Sequence, residues 1–246
     1  MTAPNLWLRS LFFNVGWYVG TAIIAVLGAP ILLLPRRAVV AWSRLWIRFV
    51  LAWLRLTVGL THRVTGLENL PKGPAIVASK HQSSWETMSY TVLFDDAAIV
   101  LKRELLLIPV VGWAMARAGN IAVERGDGAK ALRGLIRQAK ARIEAGRSIL
   151  IFPEGTRVAL DAERPYQVGV AALYRQLGVP VVPVALNSGL FWGRRQFVKL
   201  PGTISVEILP AIPPGLDRET FMATLRERTE TATARLVREG RRLEHI

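Results

Sequence analysis

The chain begins with a long apolar stretch. Between Arg9 and Arg36 there is no charged residue, and residues 11–34 exceed the roughly 20 apolar positions needed to cross a bilayer. No small-residue cleavage site follows, so the stretch is expected to stay in the mature protein rather than leave as a signal peptide. Asn14, Gly16, Gly20, Gly28 and Pro30 interrupt it as a straight single span, while Trp7, Trp17 and Tyr18 suit the headgroup level. Arginines at both ends leave its orientation open, and whether it spans the membrane or lies half-inserted is open as well.

The pattern then changes. Over residues 38–60, with Trp42 at zero on a wheel of about 100° per residue, Trp46 and Trp53 fall at about 40° and 20°. Arg44, Arg48 and Arg55 fall at about 200°, 240° and 220°. One tryptophan stripe opposes one arginine stripe. This fits a helix in the membrane interface, rings toward acyl chains and guanidinium groups toward phosphates. The other reading is a core helix whose arginines face water. Residues 1–60 thus read as a two-helix membrane anchor.

From residue 61 to 246 the pattern is that of an α/β domain. Short apolar runs at 75–78, 98–101, 121–123, 148–152, 181–186 and 205–209 read as strands. Between the third and fourth lies a helix, with Asp127 as N-cap, Leu132, Leu135, Ile136, Ala139 and Ile143 as its apolar face, and Gly146 as its stop. Residues 168–177, ending at Gly178, and 217–240 read as two more. Alternating strands and helices predict an α/β fold with a mixed sheet flanked by helices.

Composition narrows the function. The 246 residues carry a formal charge of +14, yet 51% are hydrophobic and eight are tryptophan. A nucleic-acid protein is normally basic and polar; basic and apolar together point to an anionic membrane surface, with no nucleic acid as partner. The absence of cysteine excludes disulfides, thiolate catalysis and cysteine-ligated zinc. Three scattered histidines, with no H-E-x-x-H spacing, point to no metal site.

Of those histidines only His81 stands between a strand signal and a helix start, in Lys80-His81-Gln82-Ser83-Ser84-Trp85-Glu86. An imidazole there, with the Glu86 carboxylate to fix its tautomer, suits proton abstraction from a hydroxyl. On one continuous helix residues five apart diverge by about 140°, so the pair meets only if His81 is still in the loop. Ser83 to Glu86 also reads as a capping box, with Ser83 as N-cap. On this stretch alone both readings stand.

Downstream, strand 148–152 runs into Phe152-Pro153-Glu154-Gly155-Thr156-Arg157. A strand ending in such a turn gathers backbone N–H groups, a hydroxyl and a planar guanidinium, an arrangement suited to phosphate. Glu154 is a candidate acceptor for substrate hydroxyls. Lys102 and Arg125 close two other strands, and strand ends are where α/β folds place ligands.

These blocks resemble those of the glycerolipid acyltransferases, in particular the bacterial 1-acyl-glycerol-3-phosphate acyltransferases. His81 to Glu86 is similar to the family's H-x4-D block, with glutamate in place of the usual aspartate. Lys102 to Gly112 resembles its K-x-E-L segment, residues 119–125 its second block and residues 179–184 its proline-containing fourth. Phe152 to Arg157 matches F-P-E-G-T-R residue for residue.

The resemblance covers roughly residues 60–210 and implies transfer of a fatty acyl group from acyl-CoA or acyl carrier protein to the 2-hydroxyl of 1-acyl-glycerol-3-phosphate, giving phosphatidic acid. On that reading His81 is the base and Glu86 orients it. Arg157, Arg125 and Lys102 hold the phosphate, and Glu154, Gly155 and Thr156 shape the pocket. No cofactor or metal is implied beyond the thioester donor, and the expected location is the cytoplasmic face of the bacterial inner membrane. Another acceptor, a lyso-ornithine lipid or glycerol-3-phosphate, fits the same chemistry. A lipase or esterase lacks its G-x-S-x-G elbow here, and a non-catalytic membrane protein leaves His81 and Arg157 unexplained.

Overall fold

The computed structural model describes residues 3–124, 128–160 and 162–244. Two N-terminal helices come first, α1 (Ala3–Gly28, continued by a 3-10 turn over Ala29–Leu33) and α2 (Arg36–Thr57). Then follow β1 (Leu60–Thr65), β2 (Ile76–Ser79), α3 (Trp85–Leu93), β3 (Ala98–Lys102), α4 (Val111–Arg117), β4 (Ile121–Val123), α5 (Gly128–Glu144) and β5 (Ile149–Ile151). The chain ends with α6 (Val168–Leu177), β6 (Val181–Leu186), the short α7 (Ser188–Phe191), β7 (Gly202–Ile208) and α8 (Arg218–Glu244). The strands form one sheet in the order β1-β7-β6-β2-β5-β3-β4. Neighbours are parallel except β6 and β7. The expected mixed sheet between helices is what the chain builds.

Both faces of the sheet centre are dry, so its strands read as unbroken apolar runs. Val77, Leu150, Val182 and Val184 pack with Val50 and Leu54 of α2 and with Trp85 and Tyr90 of α3. Ile76, Ile149, Ile151 and Val181 pack on the opposite side with residues of α5, α6 and α8. The expected start of α5 at Asp127 lies outside the described residues. Gly178, at φ +63°, ends α6 as expected of a left-handed cap.

β1 was not foreseen. The predicted second helix ran to residue 60, but α2 stops at Thr57, Gly59 turns the chain at φ +79°, and Leu60 starts a strand parallel to β7. Only Leu60 of this edge strand is fully buried, so Leu-Thr-His-Arg-Val-Thr shows neither alternation nor a solid apolar run.

The tryptophan stripe also requires correction. It packs against α1 and does not point outward to the bilayer. A Cβ on Gly16, Gly20 or Gly28 would lie 2.2, 2.7 or 2.3 Å from the rings of Trp53, Trp46 and Trp42 respectively. The glycines that weakened α1 as a simple span are the groove that receives the rings, and the pairing makes α1 and α2 antiparallel. Outward instead point Phe12, Val19, Ile23 and Val26 of α1 with Leu45, Phe49 and Leu56 of α2. Residues Pro4–Leu33 are long and apolar enough to cross a membrane. Of the arginine stripe, Arg44 bonds the Thr91 carbonyl (3.1 Å) and Asp95 (2.9 Å) at the end of α3, while Arg48 and Arg55 are exposed.

The first half of α1 is tied to the loop before β7. Lys199, almost wholly buried, donates to Asn14 Oδ1 and the Phe197 carbonyl at 2.8 Å each, and lies over the Trp192 ring at 5.1 Å. Burial lowers its pKa to about 8.

Two expectations follow. Gly16→Ala drives a methyl into Trp53 and lowers stability by about 1–3 kcal/mol, whereas Gly134→Ala, in open space on α5, raises it by up to about 1 kcal/mol; thermal unfolding in detergent distinguishes the signs. The charged form of Lys199 is disfavoured in the fold, so from about pH 8 upward the folded state releases its proton first. Up to the unfolded value of 10.5 the unfolded chain holds more protons, and stability rises with pH through that window. The wild type therefore gains stability relative to Lys199→Met across that range; parallel profiles would contradict this.

Candidate active site

Strands β2, β5 and β3 are mutually parallel neighbours, so their carboxyl ends deliver three segments to one place. β2 contributes Lys80 to Glu86, β5 contributes Phe152 to Arg157, and β3 ends on Lys102. The β5 segment turns at once: Gly155 N–H donates to the Phe152 carbonyl (2.9 Å), with Pro153 at the second turn position and Gly155 at φ +67°, where a side chain is strained.

The centre of the site is a fully buried carboxylate. Glu86 Oε1 accepts hydrogen bonds from His81 Nδ1 (2.9 Å), Gln82 N–H (2.7 Å) and Ser83 N–H (2.6 Å). Glu86 Oε2 accepts from the Ser188 hydroxyl (2.9 Å). Capping and imidazole orientation are therefore not rivals, because one carboxylate does both. The helix starts one residue later than expected: Ser84, not Ser83, occupies the N-cap position, and Ser83 Oγ accepts from Trp85 N–H (3.1 Å). Ser84 makes no capping bond; its hydroxyl accepts from Arg157 Nη1 (2.6 Å).

An ionised carboxylate at Nδ1 holds the proton there and leaves Nε2 of His81 as the basic nitrogen. The ring stacks on Phe152, centroids 4.0 Å apart and planes 19° from parallel, which fixes its remaining rotation.

Glu154, expected beside substrate hydroxyls, has both oxygens engaged inside the protein. Oε2 accepts from His81 N–H (2.9 Å) and Oε1 lies 2.5 Å from Lys80 Nζ. Lys80 also donates to both oxygens of Glu230 on α8 (2.8 and 2.9 Å), and Tyr166 donates to Glu230 (3.1 Å). Two carboxylates thus share one buried ammonium. Burial pulls Lys80 down, but Glu154 and Glu230 outweigh it and the net shift is upward. Burial raises Glu154, and Lys80 and the His81 N–H only partly offset it. The network holds the backbone at His81 from behind.

A cleft of about 1030 Å³ opens in front of it, lined by His81, Lys102, Glu154, Gly155, Thr156 and Arg157. Part of its lining is apolar, from Thr21, Ile24, Ala25 and Gly28 of α1, Val39, Trp42 and Trp46 of α2, Met88 of α3 and Val111 and Met115 of α4. Another part is basic, with Arg157, Arg164, Arg194 and Arg195. Arg125 lies outside the described residues. Among the described residues no group of three or more His, Asp and Glu is placed to hold a metal.

Sequence reasoning passed over Lys80, Phe152, Ser188 and the arginines at 164, 194 and 195. Gly193-Arg194-Arg195 was visible as a charged turn. Ser188 lies 102 residues from Glu86 and carries no local signal.

Comparison with known proteins fits this geometry. A family model described as Acyltransferase matches residues 61–187. The chain is 40% identical over 185 residues to the 1-acyl-sn-glycerol-3-phosphate acyltransferase of Pseudomonas aeruginosa, covering 75% of this chain and 72% of that protein. It is 28% identical over 218 residues to the human 1-acyl-sn-glycerol-3-phosphate acyltransferase alpha, covering 85% and 76%. Its fold is similar to that of the crystal structure of the 1-acyl-sn-glycerophosphate acyltransferase of Thermotoga maritima, with a TM-score of 0.74, 22% identity, and 93% and 95% of the two chains covered. By its match over residues 61–187 and its likeness to the Pseudomonas enzyme, the chain belongs to the acyltransferase family.

Proposed function

We propose that the enzyme acylates the sn-2 hydroxyl of 1-acyl-sn-glycerol-3-phosphate, using acyl-CoA or acyl carrier protein as donor, and releases phosphatidic acid. The observation that carries this is one cleft whose lining combines apolar side chains, His81 of the His81–Glu86 pair and a group of arginines. The names of the relatives support the same reaction.

His81 Nε2 takes the proton as the hydroxyl oxygen attacks the thioester carbonyl. The carbon–sulfur bond then breaks and the proton passes to the departing thiolate. Glu86 stabilises the imidazolium between those events. Arg157 holds the phosphate, with Arg125, Lys102, Arg164, Arg194 and Arg195 adding charge, and so keeps the hydroxyl at His81. Gly155 and Thr156 form the turn that presents Arg157, and Glu154 acts through the backbone of His81. The apolar part of the lining takes an acyl chain. No cofactor beyond the donor takes part.

The enzyme works on a membrane. The exposed apolar faces of α1 and α2 enter the interface, and the hairpin roofs the cleft so that lysolipid reaches it without leaving the bilayer. A soluble thioester donor sets the active site on the cytoplasmic face of the inner membrane.

The decisive assay is acyl transfer in mixed micelles. Wild-type protein is expected to form phosphatidic acid from the lysolipid; turnover of glycerol-3-phosphate or a lyso-ornithine lipid instead would replace the acceptor while keeping the chemistry. His81→Ala is expected to lower kcat by about 10³-fold and Glu86→Gln by on the order of 10²-fold, with fold retained by circular dichroism. Lys80→Met leaves Glu154 without its cation and raises its pKa further, so the acid limb of the kcat profile moves to higher pH. Lys80→Arg restores the limb. An unmoved limb in Lys80→Met would remove the positioning role.

A further inference from the structure

At the opposite, amino end of the same strands lies a second cleft, of about 1220 Å³. Asp96 precedes β3, Gly119 precedes β4 and Arg147 precedes β5, so the sheet separates this cleft from His81. It is lined by seven arginines, Arg36, Arg37, Arg44, Arg48, Arg117, Arg142 and Arg147, against the carboxylate of Asp96, with Asp95 next to it pairing with Arg44 (2.9 Å).

The cluster is built. Arg36 grips Asp96 with both nitrogens (2.7 and 2.6 Å), and Arg147 Nε lies 3.5 Å from the same carboxylate. The remaining bonds go mostly to backbone carbonyls. Arg117 donates to Leu34 (3.1 Å), Arg142 to Gly119 (2.8 Å), and Arg147 to Asp96, Ala118 and Gly119 (3.0, 3.1 and 3.3 Å). Carbonyls fix where a guanidinium sits without neutralising it. Asp96 is held low, first by its bonds to Arg36. Arg147 is held below its ordinary value by burial and, against Asp96, by Arg36 and Arg142 nearby. Arg37 and Arg48 are exposed, with no hydrogen bond or ion pair among the described residues. A large positive excess therefore faces one concavity.

The apolar neighbours of these arginines decide what kind of anion fits. Trp113 lines the cleft and is half exposed. Leu33 (86% exposed) and Leu34, whose carbonyl Arg117 holds, come just before Arg36 and Arg37 in the chain, at the hairpin tip. On α2, exposed Leu45 and Phe49 sit beside Arg44 and Arg48. Apolar groups next to forked donors match an amphiphile, phosphate among the arginines and chains past the leucines. A free phosphate or an acidic protein leaves those apolar side chains without a partner.

We infer that the arginine cleft is a second anion site, apart from the catalytic cleft, that takes the phosphate of an anionic phospholipid headgroup from the bilayer. It adds to the affinity of the domain for an anionic membrane. The inference rests on the membrane-bound reading of the hairpin, and the test separates the two.

Full-length protein is floated with vesicles of phosphatidylcholine alone or mixed with phosphatidylglycerol, at about 0.15 M salt. Wild type, Arg37→Gln/Arg48→Gln and a control pair on exposed positions of α5, Arg133→Gln/Arg137→Gln, are compared, with thermal unfolding to check the fold. At about 1 kcal/mol per basic residue near an anionic surface, the cleft variant, short of two, is expected to lose about 30-fold in partition to the anionic vesicles while the control pair holds close to wild type. Equal loss in both pairs makes the effect one of net charge and overturns the site, as does no loss in the cleft variant. Inorganic phosphate at constant ionic strength is expected not to displace the protein; displacement makes the site one for free phosphate and overturns the lipid assignment. Failure of every variant to bind neutral vesicles removes the hairpin reading instead, and the anionic comparison still decides the cleft.

Discussion

The structure turns on one buried carboxylate. Glu86 has no access to water and accepts four hydrogen bonds, from the His81 ring, two backbone N–H groups and the Ser188 hydroxyl. A charge in such a place is tolerable only when its lone pairs are met. Meeting them fixes the exit of β2, the start of α3 and the plane of the imidazole together. The glutamate found where the family usually has aspartate reaches the ring because α3 begins only at Trp85, leaving His81 to Ser83 free to wrap around it.

Everything else supports that geometry from a different side. The Lys80–Glu154–Glu230 network braces the backbone at His81, Phe152 stacks on its ring, and Arg157 is tethered through Ser84 to the same helix start. The hairpin closes the front. Its tryptophans fill the glycine groove of α1, which leaves the outer face of the pair apolar and its inner face as the roof of the cleft. The two ends of the sheet's parallel strands thereby differ, with the His81–Glu86 pair and Arg157 at the carboxyl end and an arginine cleft at the amino end.

Much of this was legible in the sequence, for identifiable reasons. Val181–Leu186 and Val168–Leu177 were read to the residue, because a strand buried on both faces is a solid apolar run and a glycine stops the helix. His81 and Glu86 were legible because a loop followed by a helix start is the one arrangement that lets residues five apart meet. What failed needed a partner distant in sequence. The wheel of α2 could not reveal that Gly16, Gly20 and Gly28 would take its tryptophans, nor could Lys80 be distinguished from an ordinary surface lysine before α8 brought Glu230 to it. β1 failed for another reason: an edge strand with one fully buried residue leaves no periodic trace.

The most direct test of the central claim is the structure of His81→Ala with 1-acyl-sn-glycerol-3-phosphate bound. The account predicts the phosphate against Arg157, the acyl chain along the apolar lining from α1, and the 2-hydroxyl within about 3 Å of the position His81 Nε2 would occupy. A lysolipid whose hydroxyl points away from residue 81, or whose phosphate sits away from Arg157, would contradict it.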